Sequence, residues 1–317
     1  DGSRQAVVDL RRTDAPALLA GGLLVLAELL NRHGELDASQ ATLAEAHPLL
    51  VAEGEPWGIG AHDIFVARNL AALGRTEEAE AMARAGVERL RASGEHWMIL
   101  YGLGMQAGLQ ESRGNLVAAA DAYEELLDAC RKAKMTQFES MWLIRLAALR
   151  ARLGDDVAAE RLFAASIANS RRWANPAALI GRAGAARRLG DLASCRRWLG
   201  EAEAAYDAIG LPAGSTAALI ALVWWSLAAG DPAGAQDYAE QARRRAAQAA
   251  DPLVSVLAET VVAAVALAAS DTEVSRTRFA SVLERRAGAS QSAAFLEGTL
   301  DEPDVEALAA AHGVRPV

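Results

Sequence analysis

Cysteine is almost missing from this chain. Only Cys130 and Cys195 occur, far apart and without a CxxC spacing. That argues against a disulfide framework and for a reducing compartment. Lysine is as rare, with Lys132 and Lys134 against thirty arginines. This arginine bias reflects base composition rather than a nucleic-acid footprint, because the net charge is −9. Aromatic residues make up 5% of the chain, and Val, Ile and Thr form no alternating runs, which argues against a sheet-built core. Long apolar runs are absent too. The longest, Leu253–Ala269, is broken by Glu259 and Thr260, so no membrane span is expected. No signal peptide is visible, and a cytoplasmic location is expected. The chain opens on Asp1 directly in helix-like sequence, which reads as a fragment of a longer protein.

Signatures of catalysis are missing as well. There is no P-loop and no Gly-x-Ser-x-Gly. His33, His47, His62, His96 and His312 form no metal-ligand spacing. His62 precedes Asp63, but adjacent residues on a helix point apart. The run Trp97–Gly108 imitates a strand and a glycine-rich phosphate loop, yet its register matches helical sequence in the other repeats. Arg243, Arg244 and Arg245 read as a solvated helix end facing the macrodipole. No enzyme, metal or cofactor is expected.

What is abundant is alanine, about a quarter of all residues, which favours close-packed helices. Turn pairs recur at Gly34-Glu35, Gly74-Arg75, Gly114-Asn115, Gly154-Asp155, Gly190-Asp191, Gly230-Asp231 and, without glycine, Ser270-Asp271. The steps are 40, 40, 40, 36, 40 and 40 residues. Each pair ends one apolar-periodic stretch and starts another, as a helix–turn–helix unit requires. Seven residues before the turn stand Ala27, Ala67, Ala107, Ala147, Ala183, Val223 and Ala263. Five residues after it stand Ser39, Ala79, Ala119, Ala159, Cys195, Ala235 and Ser275. Small residues there let the two helices of a hairpin cross closely. Nine residues after the turn a larger plug follows in most units: Leu43, Tyr123, Phe163, Leu199 and Phe279. The 36-residue step removes four residues from the second helix of unit four. That is close to one turn of ~3.6 residues, so the inward face stays in phase.

These slots resemble the tetratricopeptide repeat, whose hairpins carry a small residue in helix A, a Gly-Asp-like turn, an early alanine in helix B and an aromatic one turn on. The resemblance covers residues 17–287 as seven units. It implies an all-α, right-handed α-solenoid. The period exceeds the family's 34, and its helix-ending proline is mostly missing. HEAT-type solenoids share the longer period, but the turn and the two small slots favour the tetratricopeptide reading. Residues 1–16 read as a truncated preceding repeat. Residues 288–317 read as a linker and a C-terminal capping helix that covers the last apolar face.

In that family, helix A lines the concave surface. Projected at −13, −10, −6 and −3 from the turn, with −17 one step further, the inward stripe contains Trp57, Ile64 and Arg68. It continues through Trp97, Tyr101 and Glu111, then Met141 and Ile144, then Trp173, Ile180 and Arg187, and ends at Trp224. Apolar surface rimmed by few charges suits a peptide, a small amphipathic effector or another protein domain. A tryptophan in the first turn can equally pack on the preceding helix B. The lysines and asparagines with which chaperone-binding members grip a carboxylate are absent. The style of repeat resembles the helical regulatory regions of MalT-like and AfsR/SARP-type bacterial transcription regulators. The expectation is a non-enzymatic sensor module without direct nucleic-acid or membrane contact. The alternative is a scaffold that joins proteins or forms a homo-oligomer.

Overall fold

The structure, a computed structural model, describes residues 2–54, 56–93, 96–135, 138–169, 176–249, 251–287 and 302–315. Among these residues there are sixteen helices and no strand. The chain divides into two compact units, Asp1–Met135 and Thr136–Val317.

In the first unit α1 (Gly2–Leu10) packs on α2 (Pro16–Arg32) through buried Val7. Then come α3 (Leu36–Glu53), α4 (Pro56–Ala72), α5 (Thr76–Ser93), α6 (His96–Ser112) and α7 (Leu116–Lys132). The second unit holds α8 (Glu139–Arg152), α9 (Asp156–Asn169), α10 (Pro176–Arg188), α11 (Leu192–Ala208) and α12 (Pro212–Ala228). It continues with α13 (Pro232–Ala249), α14 (Pro252–Ala269), α15 (Glu273–Ala287) and α16 (Glu302–Ala311). From α2 to α15, even-numbered helices are the A helices and odd-numbered ones the B helices. Within each unit, an A helix packs on its own B helix, on the preceding B helix and on neighbouring A helices. The result is two layers with a core between them, an all-α helical repeat.

The turns form for the reason read from the sequence. Gly34, Gly74, Gly114, Gly154, Gly190 and Gly230 all have φ between 74° and 88°, a left-handed conformation in which a Cβ would be strained. The amide after each glycine donates to the carbonyl four residues before the glycine, from Glu35 to Leu30 through Asp231 to Ser226, at 2.8–3.0 Å. That is the Schellman closure, and it satisfies a helix-end carbonyl that would otherwise be bare. Asp155, Asp191 and Asp231 then cap the next helix by accepting from the amides of Ala158, Ser194 and Gly234. Proline opens α2, α4, α10, α12, α13 and α14, at positions where its missing N–H has no partner to lose.

The small slots are interior. Thirteen of the fourteen are at most 1% exposed, and only Ser275 is half-exposed. The plugs Leu43, Tyr123, Phe163, Leu199 and Phe279 are equally closed. The shortened repeat keeps its phase, since Ala159, Phe163 and Ala183 are all buried, but the shortening is not confined to the second helix of unit four: α9 has 14 residues and α10, the first helix of unit five, has 13. Trp97–Gly108 is part of α6, not a phosphate loop. α14 is the one described helix long and apolar enough to cross a membrane, and it is mostly buried within its unit. Cys130 and Cys195 are buried and not bridged.

Candidate functional site

The A helices of the first unit, α2, α4 and α6, lie side by side. Their solvent-facing stripe runs at −13, −9 and −6 from each turn glycine: Gly21, Val25 and Glu28; Phe65 and Arg68, with Ala61 at −13 of α4 buried beneath them; Tyr101, Met105 and Gly108. The projected stripe used −10 in place of −9, and the structure corrects it. Position −10 is three residues from the small −7 slot and therefore shares the face that helix B covers. Ile64 sits there, 0% exposed, wedged towards α5 and α6. A Cβ on Gly102 would lie 2.8 Å from Ile64 Cδ1 and 2.6 Å from Val87 Cγ2. Ile144 and Ile180, also at −10, are likewise core residues. Val25, Phe65 and Met105 are the stripe residues that this one-position error missed.

Arg68 fixes the geometry of the exposed face. Its guanidinium donates to Glu28 Oε1 at 2.5 Å on one neighbouring A helix and to the Tyr101 hydroxyl on the other. Glu28 and Arg68 neutralise each other, so the surface they leave is apolar and aromatic. The Phe65 and Tyr101 rings meet edge-on, 6.3 Å apart at 67°, a favoured arrangement for their quadrupoles. Trp57 is half-buried against the unit's core. Trp97 is 44% exposed and Val25 59%. Behind the face, Asn31 and Ser39 donate to buried Asn69 at 2.6 and 3.1 Å and hold α2, α3 and α4 in register. Glu111 is half-buried at the end of α6.

The second unit differs. Met141 is exposed at the start of α8. Trp173 lies outside the described residues. Trp224 is 5% exposed, and α12 is buried on almost every side from Gly214 to Trp224. Arg187 is not an open anchor, because it is ion-paired with Asp304 of α16. The C-terminal helix was expected to cover the last hairpin. It reaches Asp271 in the turn of that hairpin, but also α8 and Arg187 and Arg188 at the end of α10. No local periodicity signals such a return.

No family model and no curated protein matches the chain. Solved structures do match in shape. One is a signal transduction ATPase with numerous domains, carrying a tetratricopeptide repeat sensor, from Pyrococcus horikoshii. It has a TM-score of 0.67 and 13% identity over 94% of this chain, which spans 45% of that protein. A tetratricopeptide repeat protein from Parabacteroides merdae has a TM-score of 0.58 and 15% identity, over 88% of this chain and 98% of that one. A Rap protein complexed with competence and sporulation factor has a TM-score of 0.58 and 12% identity, over 93% and 87%.

The fold is a tetratricopeptide-like helical repeat.

In this tetratricopeptide-like array the longer period is explained by helices of 17 or 18 residues in most hairpins. The polar clusters are structural in their bonding. His62 and Asp63, expected to point apart, are both buried, with Nδ1 3.4 Å from Oδ1. α4 is packed on both sides, so adjacent residues can each find an interior. His47 lies against His62 with ring centroids 4.9 Å apart, and Arg89 pairs with Asp63. No nucleophile is among the described partners of this group. Among the described residues no three His, Cys, Asp or Glu side chains could hold a metal. Arg243 and Arg244 pair with Glu240 at 2.8 and 3.1 Å, and their hydrogen bonds hold its carboxyl down to about 2. Arg245 pairs with Asp207. The three arginines are thus matched by acids rather than presented as a basic patch.

Proposed function

We propose that the chain is the non-catalytic sensor module of a larger bacterial transcriptional regulator. It would bind a peptide or a protein domain on the A-helix face of its first unit. The observation that carries this reading is the apolar, aromatic face of α2, α4 and α6. Trp97 and Val25 are left open there, beside a Phe65–Tyr101 edge held rigid by Arg68. Rigid aromatic anchors on a preformed surface are what hot spots use, because little conformational entropy is lost on binding. Buried Ile64 belongs to the support of the face, not to its contact surface, and Ile144 and Ile180 lie in the core of the second unit. The matched sensor-bearing ATPase and the Rap protein complexed with competence and sporulation factor favour this reading by analogy of fold.

The test is selection of ligands from a random-peptide display library, followed by tryptophan fluorescence titration. Trp97→Ala combined with Phe65→Ser is expected to weaken recovered ligands by at least about tenfold, as loss of a hot-spot residue does. Ligands that bind the double variant as well as the parent would remove the first-unit face from the proposal. Concentration-dependent dimerisation in light scattering, with no ligand recovered, would favour the scaffold alternative.

A further inference from the structure

The A-helix face of the second unit is filled by the chain itself. Asp304, in the first turn of α16, pairs with Arg187 across 117 residues of sequence, and with Arg188 at 3.3 Å. These three side chains are 14%, 8% and 15% exposed. Charges this far from water persist only when they are paired. Val305, one residue on, and Ala309, five residues on, are buried in one cluster with residues of α10, α12 and α14, and Val314 beyond the helix joins them. At the other end His312 Nδ1 lies 3.2 Å from the Asp271 carboxylate, after α14. α16 therefore runs from the end of α10 to the end of α14, as a helix lies in a groove.

Its hold is slight beside that of the hairpins. Ten residues fall short of the ~12–15 that a helix needs to stand alone in water. α16 has no aromatic plug of its own, whereas the hairpins of this unit close over Phe163, Tyr206 and Phe279. An element with few buried apolar contacts opens at lower free energy than the core it rests on.

We propose that α16 is a displaceable occupant of a docking groove. The outside ligand of that groove is a helical segment of a protein partner that carries a carboxylate followed by small aliphatic side chains one and five residues on. The Arg187 guanidinium selects the carboxylate, and Arg188, which Asp156 of α9 already holds at 2.8 Å, adds a longer second contact. The apolar bed of α10, α12 and α14, which holds Val305 and Ala309, selects small aliphatic side chains. Because α16 belongs to the same chain as its groove, it competes intramolecularly, at an effective concentration of roughly mM order, so that only a matched partner displaces it. The groove is separate from the first-unit face, and Trp97→Ala is expected to leave it unchanged.

The probe is a fluorescein-labelled synthetic peptide of residues 301–317, titrated by polarisation against the full chain. Weak binding is expected for the parent. Asp304→Arg repels α16 from Arg187 and Arg188 and is expected to bind the peptide at least about tenfold tighter. Val305→Asp, which removes a buried contact without reversing the charge, is expected to do the same. Circular dichroism establishes which variants fold. Amide exchange of the parent is read beside them, and α16 is expected to exchange faster than α12. Unchanged peptide affinity in a folded variant overturns the proposal. So does α16 protection equal to that of α12, which would make it a fixed cap; this second reading decides the matter even where neither variant folds.

Discussion

Single residues in this molecule are chosen by the backbone or by the interior around them. Lys134 has φ 55° at the end of α7, and Met135 N–H closes onto Cys130 O at 2.9 Å, the same closure that glycine makes elsewhere. Tyr206 shows what the interior does. Its ring is buried against the backbone of α12 at Gly214, and among the described residues its hydroxyl has no hydrogen-bond partner. Burial penalises the phenolate and pushes the group from 10.0 up to about 12. The folded chain therefore keeps the proton when the unfolded chain has lost it. This contribution is fully present below pH 10 and is lost as pH rises towards 12. A rise of that size corresponds to about 2–3 kcal/mol. Tyr206→Phe is expected to keep the ring packing and to remove the pH-dependent part. Thermal melts at pH 8 and pH 11 check this: the variant should lose less stability than the parent between the two. Equal losses would mean that Tyr206 ionises as freely in the fold as out of it.

Hairpins are decided by how closely their helices cross. Ala147, at −7 in α8, and Ala159, at +5 in α9, are both 0% exposed and belong to one cluster with Phe163. A leucine at 147 adds volume where no void exists, and overpacking of this kind costs about 1–3 kcal/mol. Ala147→Leu is expected to lower the denaturant midpoint accordingly. Ala204→Leu, on the exposed side of α11, should change stability by less than about 0.5 kcal/mol. If both substitutions were equally mild, the small slots would reflect alanine abundance rather than helix approach. These slots were legible in the sequence because the turn glycine sets a fixed origin for counting in both directions. The exposed stripe was less so. Positions −10 and −9 both lie near the inward direction of an A helix, and only the neighbour that packs on −10 distinguishes them. His62 and Asp63 were misjudged for a related reason. The rule that adjacent residues diverge assumes that one side of the helix is solvent, and α4 has protein on both. The place of α16 had no local signal at all, since Asp304 meets Arg187 only through tertiary folding.

At the scale of the molecule, each unit carries a core of its own. In the first, a cluster runs from Val7 to Met98 through Leu43, Ile64 and Val87. In the second, one cluster centres on α12 and α14 and another on Ile144, Ala147 and Phe163. Stability in a repeat array is close to a sum over hairpins and their nearest-neighbour contacts, so distinct cores can unfold as distinct cooperative blocks. Calorimetry of the full chain is expected to resolve two transitions. Gly102→Ala pushes a methyl group onto Val87 and Ile64 in the first unit and should lower one transition only. Ala147→Leu acts in the second unit and should lower the other. Tyr206→Phe gives an independent assignment: Ile167 packs against both clusters of the second unit, so the pH-dependent shift at Tyr206 is expected to follow the same transition as Ala147→Leu. A single transition displaced by either substitution would mean that the two cores unfold as one block, and the stability of every hairpin would then have to be reckoned over the whole chain.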